Sequence, residues 1–422
     1  MNKKIAVVGV VIVVLLVLSP VFYGAVQTHY NPEADEYGAT DEGRAATVDG
    51  INAFSMAFYK QMGQTGMNVF FSPWSISCAV AMLREGAQGT TANEIDGVFG
   101  FSANDTMRQA CFASIYNKLN EINSDYQLKT ANALWADNAY SVLGSYQTTL
   151  QNRYGAEARN LDFRGQPDPS RQEINKWVED QTNKKIMDLL PPGSITGATR
   201  LVLSNAIYFN GTWQKEFNVN STYNGTFYIN QTNDVKVRMM LRADKNSDFN
   251  YYSNDDVQLL EMNYKGNTTS MIILLPRSND IGGLESSISI DKVSSWLNKA
   301  DVRQVEVHIP RFNLTLECKL KDTLKKMGMP TVFSDSADLS GIDGQPDVKV
   351  DEGYHKAFVK VDEKGTEAAA ATAIVVAPTS SGGGGSPSPP VFRADHPFIF
   401  IIQDKRTGAF LFMGKVANPL AG

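Results

Sequence analysis

Cysteine is scarce in this chain, whose 422 residues include only three. Cys78, Cys111 and Cys318 form no CxxC pair, and an odd number of cysteines cannot close a disulfide framework. Cys78 lies in the apolar run ISCAVAML, where it is most simply a small buried residue. The fold must therefore rest on a hydrophobic core, for which a chain with 43% hydrophobic residues has enough material.

Basic stripes and enzyme motifs are also missing. The net charge is −6, and without a long basic stripe no nucleic-acid partner is expected. One local lysine cluster is typical of a solvated helix face: Lys319, Lys321, Lys325 and Lys326. No GxSxG, HExxH or Walker motif occurs, and no histidine, cysteine and carboxylate cluster has metal-ligand spacing. We therefore expect neither a metal nor another cofactor.

The chain has only four histidines to offer for catalysis. His29 lies in a polar, aperiodic stretch, which leaves His308, His355 and His396. His308 alternates with apolar residues on a predicted strand and is expected to face solvent. Because no nucleophile motif accompanies these histidines, the chain is predicted not to be an enzyme.

The longest apolar run stands at the N-terminus. Lys3 and Lys4 precede IAVVGVVIVVLLVL, a basic region followed by a hydrophobic region as in an export signal. Residues 5–26 are also long enough to cross a bilayer. Residues 1–26 are therefore either a cleaved signal peptide or a retained signal anchor, with the lysines left inside. Both readings predict an extracellular protein, secreted or tethered to the outer face of the cell membrane.

Seven Asn-x-Ser/Thr sequons agree with export, since such sites are glycosylated in secreted proteins. The possible glycosylation sites are Asn104, Asn210, Asn220, Asn224, Asn230, Asn267 and Asn313. Three of them fall within residues 220–232, which predicts an exposed hairpin there.

One large domain follows a polar spacer. Residues 27–46 are polar and aperiodic, as in a spacer, and no Gly/Pro-rich seam divides the middle of residues 47–420. Apolar periodicity predicts helices at 51–62, after Ser72-Pro73, and along a stripe from Ile174 to Leu189. Strands are predicted at 201–209, 270–276, 302–310, 355–363, 398–403 and 411–417, the last two joined by a turn at 406–408. Helices dominate the first half and strands the second, which suits an α+β fold.

The connection from Gly365 to Val391 is exceptional, because its 27 residues far exceed the usual loop length in a compact domain. If residues 366–376 are projected as a strand, one face is small or apolar and uncharged: Thr366, Ala368, Ala370, Thr372, Ile374 and Val376. Such a strand can enter a sheet without overpacking, and Gly365 supplies a hinge at its root. Alanine is nevertheless a poor strand former, so a plain flexible loop is the alternative reading.

These residues resemble the proximal hinge of the serpins, the family of serine protease inhibitors. The matching stretch is EKGTEAAAAT, with hinge positions Glu363, Gly365, Thr366, Glu367, Ala368, Ala369, Ala370, Ala371 and Thr372. The likeness covers nearly all of residues 47–420 and includes NVFFSPWSISCAVAML, LVLSNAIYFNGTW, VHIPRF, ADLSGI and FLFMGKVANP. It implies a monomer with three β-sheets, eight to nine helices and an exposed reactive-centre loop at about residues 363–391.

The resemblance also implies a mechanism. A serine protease attacks the loop as a substrate, an acyl-enzyme forms, and the cut loop inserts into the central sheet, so that the protease is trapped in a covalent complex. The intact molecule must then be metastable, held by a kinetic barrier. The alternative within the family is a non-inhibitory carrier, chaperone or storage protein, but such members usually spoil the hinge with bulky, charged or proline residues.

Other family positions carry over individually. Ser72, Ser75, Asn205 and His355 match the shutter, a hydrogen-bonded cluster where the strands part. Trp213, Arg311 and Glu363 match the breach at the top of the sheet, where insertion begins.

Family spacing places the reactive bond between Thr379 and Ser380, fourteen residues after Gly365. Pro378 and the small residues beside it suit an elastase- or subtilisin-like protease, with Val376 available for a hydrophobic subsite. The sequence departs from the family at SGGGGSPSPP, which lengthens the distal loop and leaves a cut at Val375 or Val376 as the alternative.

Overall fold

The computed structural model describes residues 33–62, 66–121, 126–366 and 388–421. The helices are α1 (Asp41–Met62), α2 (Pro73–Arg84), α3 (Gly89–Phe99), α4 (Asp105–Asn120), α5 (Gly144–Thr149), α6 (Pro167–Gln181), α7 (Ile281–Ser287), α8 (Ile290–Lys299), α9 (Lys321–Lys326) and α10 (Ser340–Asp343). A π-helical turn (Leu150–Tyr154) and 3-10 turns (Val219–Ser221, Lys265–Asn267, Thr331–Phe333) interrupt the chain between them.

The strands are β1 (Val69–Phe71), β2 (Tyr126–Asp137), β3 (Glu157–Leu161), β4 (Leu201–Thr212), β5 (Tyr223–Tyr228), β6 (Asp234–Arg242), β7 (Asp248–Ser253), β8 (Val257–Asn263), β9 (Thr269–Pro276), β10 (Asp301–Gln304), β11 (Glu306–Pro310), β12 (Phe312–Lys319), β13 (Glu352–Val361), β14 (Gly365–Thr366), β15 (Val391–Arg393), β16 (Phe398–Asp404) and β17 (Phe410–Val416).

The strands build three sheets. The central sheet has the order β12-β13-β14-β4-β2-β3, a seven-stranded sheet has the order β1-β17-β16-β9-β8-β7-β10, and a four-stranded sheet has the order β15-β11-β6-β5. The predicted α+β class with three sheets is thus confirmed. The described residues contain ten α-helical segments, of which α10 has only four residues.

Helix α2 lies in the main core and begins as the sequence predicts. The Ser72 side chain accepts a hydrogen bond from the Ser75 N–H, which satisfies a free donor of the first turn, and Pro73 occupies the first helical position. Eleven of the twelve α2 residues are buried, because the helix is surrounded by the central and seven-stranded sheets and by other helices. The hairpin predicted at 220–232 and the 398–417 strand pair are also present, as β5–β6 and β16–β17.

Helix α1 begins at Asp41, inside the segment that the sequence analysis assigns to the spacer. The Thr40 hydroxyl accepts a hydrogen bond from the Gly43 N–H, and Asp41 and Glu42 place negative charge at the helix N-terminus. A cap and an acidic first turn therefore extend the helix beyond its apolar face.

The third predicted helix is too long. Helix α6 ends at Gln181, because Asn183 and Lys184 adopt positive φ angles of 52° and 60°. Ile186 and Leu189 continue the apolar stripe without the helix, and both are buried in a second core between α6 and the central sheet.

The strand predicted over 302–310 is two strands in two different sheets. β10 pairs with β7 in the seven-stranded sheet, whereas β11 pairs with β6 and β15 in the four-stranded sheet. The chain crosses from one sheet to the other at Val305, whose side chain is fully buried. Uniform alternation in the sequence cannot show this crossing.

Candidate functional site: the loop root and the strand gap of the central sheet

The root of the long loop is a two-residue wedge in the central sheet. Strand β14 pairs antiparallel with β13 through Thr366 and with β4 through Gly365 and Thr366. Below the wedge, β13 and β4 pair directly in parallel, with Glu352–Phe358 opposite Val202–Tyr208. The sheet is therefore already parted at one end and closed along the rest of this gap.

Thr366, the first member of the predicted uncharged face, is fully buried. Its hydroxyl lies 2.6 Å from the Tyr264 hydroxyl, and the Tyr264 ring stacks on Trp213 at a centroid distance of 4.5 Å. Burial raises the pKa of the Tyr264 phenol well above its usual range, so this group stays protonated and can take part in a neutral hydrogen bond. The wedge thus enters a pocket with a preformed polar partner.

Backbone hydrogen bonds hold the turn that precedes the wedge. The Trp213 N–H donates to the Lys364 carbonyl at 2.7 Å, and the Trp213 indole donates to the Asp362 carbonyl at 2.9 Å. The Phe217 N–H donates to the Glu363 carbonyl at 2.8 Å. The predicted breach residue Trp213 therefore fixes the turn with both its backbone and its ring.

A partly buried ion pair closes the breach. Two Arg311 nitrogens lie 2.8 and 2.6 Å from Glu363 Oε1, which also accepts a hydrogen bond from the Thr222 hydroxyl. Burial acts to raise the pKa of Glu363, but the hydrogen bonds from Arg311 and Thr222 outweigh it and leave that pKa lowered. Glu363 is therefore ionised at neutral pH and ties the loop root to the start of β12.

The predicted shutter residues meet across the closed gap, where Asn205 on β4 is the Cα partner of His355 on β13. His355 Nδ1 is hydrogen-bonded to Asn205 Oδ1, and His355 Nε2 accepts the Ser72 N–H at 3.1 Å. The Asn205 amide donates to the Ser75 carbonyl at 2.8 Å and to the Ser75 hydroxyl at 2.6 Å. Separation of β4 from β13 must break this cluster.

The His355 imidazole is fully buried, and burial lowers the pKa of His355 to about 3. Its two hydrogen bonds require a neutral ring with the proton on Nδ1. His355 is thus a neutral connector between β13, β4 and the start of α2.

Sequence reasoning missed three groups that complete the site. Asn132 on β2 accepts a hydrogen bond from the Asn205 amide, and Tyr264 and Thr222 contact Thr366 and Glu363 as described above. The only available signal was a polar Asn inside the buried run ANALW, because the other two belong to no recognisable pattern.

A further contact ties β13 to the segment that covers the outer face of the sheet. Lys356 Nζ on β13 donates to the Met187 carbonyl at 2.9 Å, in the irregular segment that follows α6. This segment and α6 cover the outer face of β2, β4 and β13. Insertion of another strand therefore has to displace the cover as well as open the gap.

The prediction that His308 faces solvent is wrong. His308 is 4% exposed, with its ring nitrogens 2.7–2.9 Å from Tyr223, Glu306 and Arg393. The apolar alternation failed here because side chains cover both faces of β11.

Several predicted positions fall outside the described residues: Glu367, Ala368, Ala369, Ala370, Ala371, Thr372, Val376, Pro378, Thr379 and Ser380. Residues 1–26 do so as well. Among the residues that the structure does describe, no helix combines the length and apolarity needed to span a membrane, and no group of three His, Cys, Asp or Glu could hold a metal ion.

Six of the seven sequon asparagines are exposed, and Asn210 on β4 is half-buried. Asn104 caps α4, where its side chain accepts the Met107 N–H at 3.0 Å. The three clustered sequons lie on or beside the β5–β6 hairpin.

The family model described as "Serpin (serine protease inhibitor)" matches residues 49–419. An uncharacterised serpin-like protein of Methanosarcina acetivorans is 42% identical over 87% of this chain and 87% of its own length. Leukocyte elastase inhibitor A of Rattus norvegicus is 37% identical over 83% of this chain and 93% of its own.

Solved structures agree with the sequence comparisons. Human thyroxine-binding globulin superposes with a TM-score of 0.81 at 27% identity, over 89% of this chain and 99% of that protein. These neighbours share the three-sheet α+β architecture described above. The chain belongs to the serpin family.

Proposed function

We propose that this serpin is a suicide inhibitor of serine proteases and that its cleaved loop inserts between β13 and β4. One observation carries the proposal: the loop root already lies in this gap as β14, with Thr366 buried and uncharged. The residues that would follow it, from Ala368 to Thr372 on the same face, are equally small and uncharged. The hinge positions named above are therefore proposed to form the inserted strand.

The energetics favour insertion once the loop is cut. A new strand replaces one ladder, between β13 and β4, by two ladders, and each net backbone hydrogen bond contributes roughly 0.5–1.5 kcal/mol. Insertion is opposed by the shutter cluster, the Lys356 contact and the cover formed by α6, because all three must be disrupted before the strands separate. They supply a kinetic barrier of the kind that a metastable inhibitor requires.

The target is proposed to be an elastase- or subtilisin-like serine protease that cuts between Thr379 and Ser380. Small residues around this bond support that class, and so does the rat relative whose name is leukocyte elastase inhibitor A. The protein is proposed to act as a monomer outside the cell, secreted or tethered through residues 5–26, with glycans on some exposed sequons. N-terminal sequencing of the mature protein distinguishes secretion from tethering.

The decisive experiment mixes the protein with an elastase-type and a subtilisin-type protease and resolves the products on a denaturing gel. A band at the summed mass that survives denaturation supports trapping, and sequencing of the released C-terminal fragment identifies the cut bond. Cleavage of the loop without such a band contradicts the proposal.

A carrier role is the second candidate, because human thyroxine-binding globulin has the same fold with a TM-score of 0.81. The hinge from Gly365 to Thr372 argues against a carrier role, because it lacks the substitutions that usually disable the hinge of non-inhibitory members. Melting of the protein before and after loop cleavage separates the two roles: an inhibitor gains thermal stability when cut, whereas a carrier that does not insert its loop gains none.

A further inference from the structure

Strand β15 holds the distal end of the loop, and it is a small anchor. It has three residues, lies at the edge of the four-stranded sheet and pairs only with β11. Phe392 is fully buried, whereas Val391 is 44% exposed. Backbone hydrogen bonds join Glu306 N–H to the Pro390 carbonyl and Ala394 N–H to the His308 carbonyl, each at 2.9 Å.

Side chains from three strands reinforce this anchor, and we call Tyr223, Glu306, His308 and Arg393 the clasp. Arg393 Nη1 on β15 donates to the Tyr223 hydroxyl at 2.8 Å. That hydroxyl lies 2.8 Å from His308 Nδ1, and His308 Nε2 lies 2.7 Å from Glu306 Oε1. With a neutral imidazole carrying its proton on Nε2, the chain runs from Arg393 through Tyr223 and His308 to Glu306, and each of these steps has a donor and an acceptor. The direct contact of 2.9 Å between Arg393 Nη2 and His308 Nε2 then brings two donors together.

Protonation of His308 disrupts this chain of donors and acceptors. A second proton on Nδ1 points at the Tyr223 hydroxyl, whose own hydrogen must turn away. It also creates a cation beside Arg393, whose Nη2 lies 2.9 Å from His308 Nε2.

The charged groups around the imidazole shift the pKa of His308 in both directions. Burial lowers the pKa of His308 and Arg393 lowers it further, whereas the carboxylates of Glu306 and Asp395 raise it, and the net shift is downward. β5 contributes the Tyr223 hydroxyl, and β6 contributes the uncharged Leu241 opposite His308.

We propose that the clasp retains the distal end of the uncut loop on β11 and that acid releases it through His308. The inference rests on the proposed inhibitory function: an uncut loop, whose root already lies in the central sheet as β14, can insert along the rest of its length only if β15 leaves β11. His308 and Arg393 are thus positioning residues: they hold the distal end of the loop on β11 and prevent premature insertion.

Release of β15 from β11 inactivates the uncut molecule. In acid, intact molecules convert to a form with the loop inserted but uncut, which no protease can attack and which traps none. At neutral pH the same molecules stay active.

Amide hydrogen exchange of residues 391–394 tests the clasp directly, with intrinsic exchange rates corrected for pH. We expect protection to fall more between pH 7.5 and pH 5 in the wild type than in His308→Gln, since release from β11 removes the burial that lowers the pKa of His308 and so favours its protonation. His396→Gln, which removes a nearby histidine outside the clasp, should behave like the wild type. Equal pH dependence in the wild type and His308→Gln overturns the proposal.

Incubation of the uncut wild type at pH 5, followed by return to pH 7.5, tests the consequence. The fraction that resists loop cleavage should rise with time, and Arg393→Gln should show the same conversion already at pH 7.5. If acid conversion persists in His308→Gln but is lost in His355→Gln, the shutter is the acid sensor and the proposal fails. If the protein traps no protease, the proposed function fails, while the exchange experiment still decides whether the clasp responds to acid.

Discussion

Gly365 in the loop root and Gly211 in β4 approach so closely that a Cβ on Gly365 would stand 2.0 Å from the Gly211 carbonyl oxygen. The same Cβ would lie 2.8 Å from the Thr212 Cα. Both obstacles are backbone atoms of a strand that is paired with neighbours on either side, so neither can move aside cheaply. The wedge between β13 and β4 therefore depends on the absence of a side chain at residue 365.

Gly365→Ala should expel β14 from the central sheet. We expect slower trapping and a larger fraction of protease that escapes after cutting the loop, measured as the number of inhibitor molecules consumed per protease inhibited. Gly97→Ala is the matched control, because Gly97 is exposed in α3 and its new Cβ meets no atom within 4 Å. This control should trap normally and gain about 0.5–1 kcal/mol of stability. Normal trapping by Gly365→Ala would show that the wedge is dispensable.

Thr366→Arg should turn the proposed inhibitor into a substrate. The Thr366 side chain is fully buried against Tyr264, so a guanidinium there would lose its hydration without a counter-ion. We expect cleavage of the loop with no covalent band on a denaturing gel. Thr366→Ser keeps the hydroxyl and should retain the band; a persistent band in Thr366→Arg would contradict burial of this position during trapping.

Arg311→Ala should weaken the breach, because it leaves the Glu363 carboxylate buried without its cationic partner. Arg311 is 38% exposed, so solvent screens the pair and we expect a loss of about 1–2 kcal/mol rather than the 3–5 typical of buried pairs. Thermal melting at neutral pH measures this. Glu363→Gln combined with Arg311→Ala should recover part of the loss, since the unpaired charge is then removed; no recovery would argue against an electrostatic origin.

Acid should destabilise the intact molecule through His355. Its pKa is about 3 in the folded state and about 6.5 when solvated, so the stabilisation is fully present above about pH 6.5 and is lost progressively as the pH falls toward 3. At pH 5 the expected loss is about 2 kcal/mol. Melting temperatures of the wild type and His355→Gln between pH 7.5 and pH 5 measure it, and the slope should be smaller in the variant. Identical slopes would remove His355 as the titrating group.

Local patterns predicted those parts of the fold in which one signal dominates. The Ser72-Pro73 cap, the buried strands 201–209 and 270–276 and the hairpin at 220–232 all appear where the sequence indicates them. The predicted shutter residues are joined by hydrogen bonds, and Trp213 and Arg311 each bond residues of the turn 362–364, although it was the family resemblance and not periodicity that grouped them. Periodicity failed for α6, where an apolar stripe continues along an irregular segment, because burial requires apolar residues but does not require a helix.

By itself, the sequence determined an α+β fold, a hydrophobic core without disulfides, and a loop root whose core-facing side is small and uncharged. Only the tertiary structure decided which groups receive that root. Tyr264, Thr222 and Asn132 are distant from it along the chain, and sheet pairing alone brings their polar atoms to the points where buried donors and acceptors need partners. The same holds for His308, whose burial depends on three strands that meet only in the folded sheet.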